Sequence, residues 1–203
     1  VALLNHAGTL ERLGVNHSRL WSEDFATDAY FMKKLEQFVT TGKVTHSQSH
    51  VADAAKLKFS PKANKFGAAL AKDILTKRRI LGQLDPGCMG MLNAVMDPAK
   101  LGAVGMPIEY LNQSDLLAEM QFVPDEEAQD HLNWLIKKGA WFDWGTDQYE
   151  HLVHSQVMSQ MKMYAAAARI TERYGLAGIG IPYQYGLVRT CAASDLVEGM
   201  LNT

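Results

Sequence analysis

Apolar positions along this chain recur with two periods, and their alternation sets the expected architecture. Leu3, Ala7 and Leu10 repeat at helical spacing, and Gly14 stands where a helix-ending glycine belongs. The segment 15–21 is of mixed polarity and reads as a short strand. From Thr27 to Thr41 the helical period returns, with Phe31, Leu35, Phe38 and Val39 on one stripe and Gly42 as the stop. Residues 43–66 are polar and weakly patterned, a surface excursion with room for one short helix. Phe66, Leu70 and Ile74 then give a helix leading into Ile80, Leu81, Gly82 and Leu84, a brief apolar run cut off by Asp85, Pro86 and Gly87. Such a run, bounded by turn residues, suits a buried parallel strand. Cys88, Gly90 and Asn93 open a helical segment beyond the turn, and a further strand and helix carry the pattern to Met120.

Residues 123–147 form a helical and aromatic excursion. Asp125, Glu126 and Glu127 sit at its helix start and Lys137 and Lys138 at its end, each charge matching the helix dipole. Trp141, Phe142 and Trp144 make an aromatic loop. A long helix is predicted from about Gln148 to Tyr174, its face marked by Val157, Met161, Tyr164, Ala165 and Ala168 and its end by Gly175. A buried strand follows over 176–183, then a loop, then a short helix begun by Ser194 or Asp195. Helices alternating with short apolar strands predict one α/β domain over 1–203 with a mainly parallel sheet.

Composition narrows the class. The 203 residues carry a formal charge of −2, so there is no basic footprint for nucleic acid. No apolar run approaches the ~20 residues of a membrane helix. Cys88 and Cys191 show neither metal nor disulfide spacing, which fits a reducing compartment and predicts a cytoplasmic protein. The chain starts without Met inside a helical pattern and with Glu11 and Arg12 rather than a basic leader, so it reads as part of something longer.

Several groups offer candidate chemistry. The turn from Asp85 to Gly90 is a strand-to-helix connection that could cradle an anion, although its spacing is neither a Walker A nor a GxGxxG fingerprint. Glycines placed for close helix–strand packing are the favoured reading. Cys88 could be a thiolate nucleophile at a helix start, but no partner His is identifiable, and a small buried thiol is the simpler reading. His46 with His50, and Glu150 with His154, have one-turn spacing for a divalent metal; neither set is complete, and a solvated helix face is favoured. Trp134, Trp141, Trp144 and Phe142 could stack on a sugar or, as favoured, form a subunit interface. The segment leaving the last strand holds Gln184, Arg189 and Asp195, the best polar candidates in the chain, because ligands gather beyond the carboxyl ends of strands. An ordinary loop with a helix cap explains the same residues equally well.

Two blocks, LGQLDPGCMGMLNAVMDPAKLGAVGMPIEYLNQSDLLAEM and YGLAGIGIPYQYGLVRTCAASDLVEGMLN, together with the long helix before the second, resemble the L-fucose/L-arabinose isomerase family. The resemblance covers most of the chain after residue 70. It implies a flavodoxin-like domain, a mainly parallel sheet flanked by helices, in the middle of a larger homo-oligomeric isomerase. It also implies a reaction that moves a proton between C1 and C2 of a sugar while a divalent metal, Mn²⁺, holds both oxygens. The family's metal ligands lie beyond the second block, so none is expected here. Gln184 matches the family's substrate-contacting glutamine by position. Tyr185 replaces a glycine, and the loop to Asp195 is shorter than the family's. The alternative is a non-catalytic ligand-binding or assembly module of the same fold, since no complete catalytic constellation is visible in the sequence.

Overall fold

The computed structural model describes residues 2–88, 90–147, 151–190 and 193–202. They group into two compact units, one of residues 1–69 with 90–95, the other of residues 70–89 with 96–203.

The first unit is helical. Helix α1 (Ala2–Arg12) seats on the single helical turn Leu92–Ala94. A Cβ on Gly8 would lie 2.7 Å from the Cβ of Asn93, so only glycine permits this approach. Asn5 donates to the Gly90 carbonyl at 3.1 Å, and Arg12 donates to the Val95 carbonyl at 2.6 Å. Helix α2 (Ala29–Thr41) starts at Asp28, whose carboxylate accepts the Phe31 N–H at 2.9 Å and the Ser22 hydroxyl at 2.8 Å. It stops at Gly42, which takes the left-handed conformation (φ +69°) that residues with a Cβ avoid. Helix α3 (Pro61–Lys77) begins in this unit and ends in the other. Among the described residues Ala7 is the unit's only buried apolar side chain, while Tyr30, Met32, Phe38, Val39 and Phe66 stay exposed.

The segment 15–21 does not form the expected strand; it is irregular and exposed or half-exposed. Its Asn16, His17, Ser18 and Arg19 offer no apolar face that burial could reward. The polar excursion from residue 43 holds one helical turn, Ala54–Lys56, before α3 begins at Pro61.

The second unit is α/β. Its strands β1 (Ile80–Leu84), β2 (Ile108–Leu111) and β3 (Leu176–Gly180) form a parallel sheet in the order β2-β1-β3. Leu84 pairs with Leu111, and Gly82 lies between Glu109 and Ile179. Among the described residues between β1 and β2 lie the turn Leu92–Ala94 and the short α4 (Pro98–Ala103), capped by Asp97. The helix expected to start at Cys88 is absent: Gly90 takes φ +77°, and the chain instead makes the turn at 92–94 before Pro98 opens α4. Met89 lies outside the described residues.

Between β2 and β3 run α5 (Gln113–Gln121), α6 (Asp125–Lys137) and α7 (His154–Tyr174). Residues 148–150, where the sequence starts the long helix, lie outside the described residues. After β3 come α8 (Leu187–Thr190) and α9 (Asp195–Leu201). Helix α7 packs against β3, α5, α6 and α9. Its Met163, Ala166 and Ile170 join Leu84, Leu111, Leu116 and Val197 in the main core. Val157 and Met161, on its first half, join Ala128, Leu132 and Met200 in a second one. Gly82 faces this helical layer because a Cβ there would meet the Leu176 side chain at 2.5 Å. Arg169 and Arg173 on α7 grip Glu119 on α5, Arg173 at 2.5 Å, and Arg169 also reaches Glu127 on α6 at 2.6 Å.

Candidate functional site

The strand order reverses at β1: the chain moves from β1 to β2 on one side, then returns past β1 to β3 on the other. Ligands of open α/β sheets bind outside the carboxyl ends of the strands at such a switch point. Here the two loops concerned, after β1 and after β3, meet. Tyr185 lies so close to Gly87 that a Cβ there would sit 2.3 Å from the Tyr185 hydroxyl. Asp85, the residue that leaves β1, takes φ +59°, a conformation that Asp tolerates better than most residues. The close helix–strand packing favoured from the sequence is not what this turn does: Gly87 makes room for the loop residue Tyr185, and a Cβ on Gly90 would meet nothing within 4 Å.

Beside this contact the sheet is only half covered. Alternation turns Leu81 and Gln83 away from the α7 side, with Ile108, Gly178 and Gly180 beside them, and they line a crevice of about 500 Å³. The far wall comes from the loop after β3 and from α9, with Tyr183, Gln184, Asp195 and Glu198.

That wall is held from behind. The Glu198 carboxylate accepts the Ile181 N–H at 2.9 Å, and the buried Ser194 hydroxyl donates to the Ile181 carbonyl at 2.9 Å. Gln113 on α5 donates to the Pro182 carbonyl at 2.7 Å. Backbone groups leaving a strand must find new partners, and here side chains of α5 and α9 supply them. Tyr183, Gln184 and Asp195 stand together on this wall. Hydrogen bonding with Asp195, and the negative charge of its carboxylate, raise the Tyr183 phenol above the ordinary tyrosine range.

Of the residues singled out from sequence, Gln184 and Asp195 meet in this crevice and Arg189 does not. Arg189 lies exposed on α8, its N–H bonded to the Gly186 carbonyl at 3.1 Å. Tyr183, Glu198 and Gln83 were not singled out. The spacing of Asp195 and Glu198, three apart and hence on one helix face, was the available signal for Glu198. Ser194 begins α9 as expected, but its hydroxyl serves the β3 loop instead of capping its own helix.

Other candidates are plainer surfaces. A larger depression of about 800 Å³ between α6 and α7 contains His154, and Lys162 and Asp125 close an ion pair at 2.5 Å within it. His46 and His50 line an open depression in the helical unit together with His17. Among the described residues no three His, Cys, Asp or Glu side chains converge as a metal set. Glu150 and Cys191 lie outside the described residues, and Cys88 is half-buried. In the aromatic loop Phe142 stacks on Trp144 at 4.8 Å and packs against the second core, whereas Trp141 is 82% exposed. Among the described residues no helix is long and apolar enough to cross a membrane.

What these elements define is an α/β unit whose order β2-β1-β3 is that of the first three strands of a flavodoxin-like sheet, with a crevice at its switch point that is largely apolar and carries polar groups on one wall. Neither the protein-family models nor the curated protein sequences compared with this chain match it.

Proposed function

We propose that this chain forms the middle α/β part of a cytoplasmic, homo-oligomeric sugar isomerase of the L-fucose/L-arabinose type, and that the crevice beside β1 and β3 receives the sugar. The observation that carries the reading is the meeting of Gln184 and Asp195 at the switch point, on a wall held by α5 and α9. A volume of about 500 Å³ suits a monosaccharide. Amide and carboxylate groups suit its hydroxyls, and Leu81, Ile108 and Ile179 suit its C–H face. Exposed apolar side chains on α2 and α3 support the oligomeric part of the reading.

The described residues do not make a Mn²⁺ site. Glu198 already accepts a backbone N–H, and among the described residues no three His, Cys, Asp or Glu side chains converge. In this reading the ion's ligands come from elsewhere in the protein. The roles left to this chain are binding and orientation: Gln184 and Asp195 fix sugar hydroxyls, and Glu198 fixes the loop that carries Gln184. The test is aldose–ketose conversion by the full-length protein with Mn²⁺ and a panel of pentoses and 6-deoxyhexoses. Turnover that falls in Asp195→Asn supports the reading; no turnover on any of these sugars overturns it.

The commitment of the Glu198 carboxylate to the Ile181 N–H favours a second reading, a non-catalytic binding or assembly module. Calorimetric sugar binding without metal, combined with no turnover, would select it.

A further inference from the structure

We propose that the depression lined by His17, Arg19, His46 and His50 in the helical unit binds a doubly charged oxyanion, a phosphoryl or sulfuryl group, and binds it more tightly in mild acid. The inference uses only residues of that unit and is independent of the proposed function.

The sequence already separates charge here. The polar segments 17–19 and 45–50 hold three of the chain's seven histidines and one arginine. No Asp or Glu lies between Glu11 and Glu23, or between Glu36 and Asp53.

The fold then brings the two segments to one place. Gln37 on α2 donates to the Thr45 hydroxyl at 3.0 Å, and Lys34 donates to the Thr45 carbonyl, so the chain beyond Gly42 returns along its own helix. The Ser18 hydroxyl reaches the Val44 carbonyl at 3.5 Å, a long contact that sets the first segment beside the second. A turn closed by the Val51 N–H on the Gln48 carbonyl at 2.9 Å carries His50. The result is an open depression of about 710 Å³, lined by His17 and Arg19, by Tyr30 from α2, and by His46, Ser47 and His50. Lys34 adds its charge at 5.5 Å from the Tyr30 ring.

Among the described residues no Asp or Glu lines this depression. Of the acids that flank its segments, Asp28 accepts the Phe31 N–H and the Ser22 hydroxyl, and Asp53 accepts the Ala55 N–H at 3.0 Å and pairs with Lys56. The Arg19 guanidinium has no hydrogen bond or ion pair among the described residues, so all its donors remain for a ligand.

The histidines supply the pH dependence. The His17 Nδ1 lies 3.0 Å from the Val15 carbonyl, which can only accept, so Nδ1 carries the hydrogen and Nε2 is left over. A neutral Nε2 offers an oxyanion a lone pair; a protonated one offers a donor and a charge. His46 shares its Nδ1 with the Tyr30 hydroxyl at 3.4 Å. Imidazoles take up their second proton in mild acid, which turns this wall from mixed to donor-only. A metal ion is the other ligand that histidines attract, but no three His, Cys, Asp or Glu side chains among the described residues converge on one. Arg19 would also repel it.

The experiment is calorimetry on the full-length protein with sulfate, which stays doubly charged throughout, at about pH 6 and about pH 8. Sulfate is expected to bind at the lower pH and at least about tenfold more weakly at the higher. Arg19→Gln should weaken it about tenfold at both, the scale of one charge-assisted hydrogen bond. Replacing His17, His46 and His50 together by Gln should remove the pH dependence. All four positions are exposed, so these variants keep the fold. Inorganic phosphate and glucose 6-phosphate identify the source of the group: tighter binding of the ester points to a phosphorylated small molecule, equal or weaker binding to the free ion, and either supports the site. No sulfate binding at either pH, or binding unchanged in both variants, overturns the inference. Zn²⁺ binding that the triple variant loses, without any sulfate binding, overturns it in favour of a metal site.

Discussion

Helices α2 and α7 carry the same kind of sequence pattern and meet opposite fates. Each has an apolar stripe, and each ends at a left-handed glycine, Gly42 or Gly175. On α7 the stripe is buried, with Val157, Met161, Met163 and Ile170 at 1% exposure or less, whereas α2 buries none of its residues. Amphipathic period states that a face is suited to burial; it does not state what will cover it. In the α/β unit the sheet and neighbouring helices supply the cover. In the helical unit, among the described residues, only Ala7 reaches full burial. Local signals therefore specify both helices, but tertiary packing secures one of them.

The largest expected contrast is in amide hydrogen exchange. Central amides of α7 should exchange only on global unfolding, and those of α2 through cheap local opening. Equal protection in the two helices would break the comparison and show that α2 has found a partner surface. Next in size, Leu84→Ala, at a fully buried position, should cost about 2–5 kcal/mol in urea unfolding. Leu35→Ala should stay within about 0.5 kcal/mol in a monomer. A larger loss at Leu35 at high protein concentration that fades on dilution would show α2 at an oligomer interface.

Close-contact glycines sharpen the contrast further. Gly82→Ala pushes into the Leu176 side chain inside a packed core and should cost about 1–3 kcal/mol. Gly8→Ala meets Asn93 near its backbone and should release α1 from its seat, read as faster α1 exchange with little change in the global transition.

The smallest expected effect is in acid. Glu119 is held below its ordinary 4.5 first by its hydrogen bond to Arg173, and Asp28 below its ordinary 3.8 first by the Phe31 N–H. A depressed carboxylate adds stability that is fully present above its unfolded value and is lost as pH falls through its folded one. Glu119→Gln should therefore flatten the acid limb of global stability below about pH 4.5, and Asp28→Asn should flatten only that of local α2 opening. Equal effects on the global transition would join the two units into one cooperative block.

What sequence could show follows the same division. All three strands of the parallel sheet, the dipole-matched ends of α6 and the glycine stops of α2 and α7 were legible because each rests on a local rule. The segment 15–21 misled because a polar stretch of strand length says nothing about whether a neighbouring strand is there to accept it. The crevice was half legible. Gln184 and Asp195 could be found from their position after a strand, but the bonds from Gln113, Ser194 and Glu198 depend on where α5 and α9 come to rest. Arg189 looked as promising in the sequence, yet the short α8 carries it away from the crevice.

The seat of α1 on residues 92–94 also bears on how the chain matures on a ribosome. The helical unit is split in sequence: the polypeptide leaves it after residue 69, lays down β1, and comes back for residues 90–95. Helix α1 is synthesised well before its docking turn, which emerges some eighty residues later, after β1 has already appeared. β1 in turn waits for β3, made only from residue 176. A nascent chain released at residue 69 would lack the surface that holds its first helix. Neither unit can finish folding in strict order of synthesis, so fragments cut at residue 69 or residue 89 should be poor carriers of the native structure.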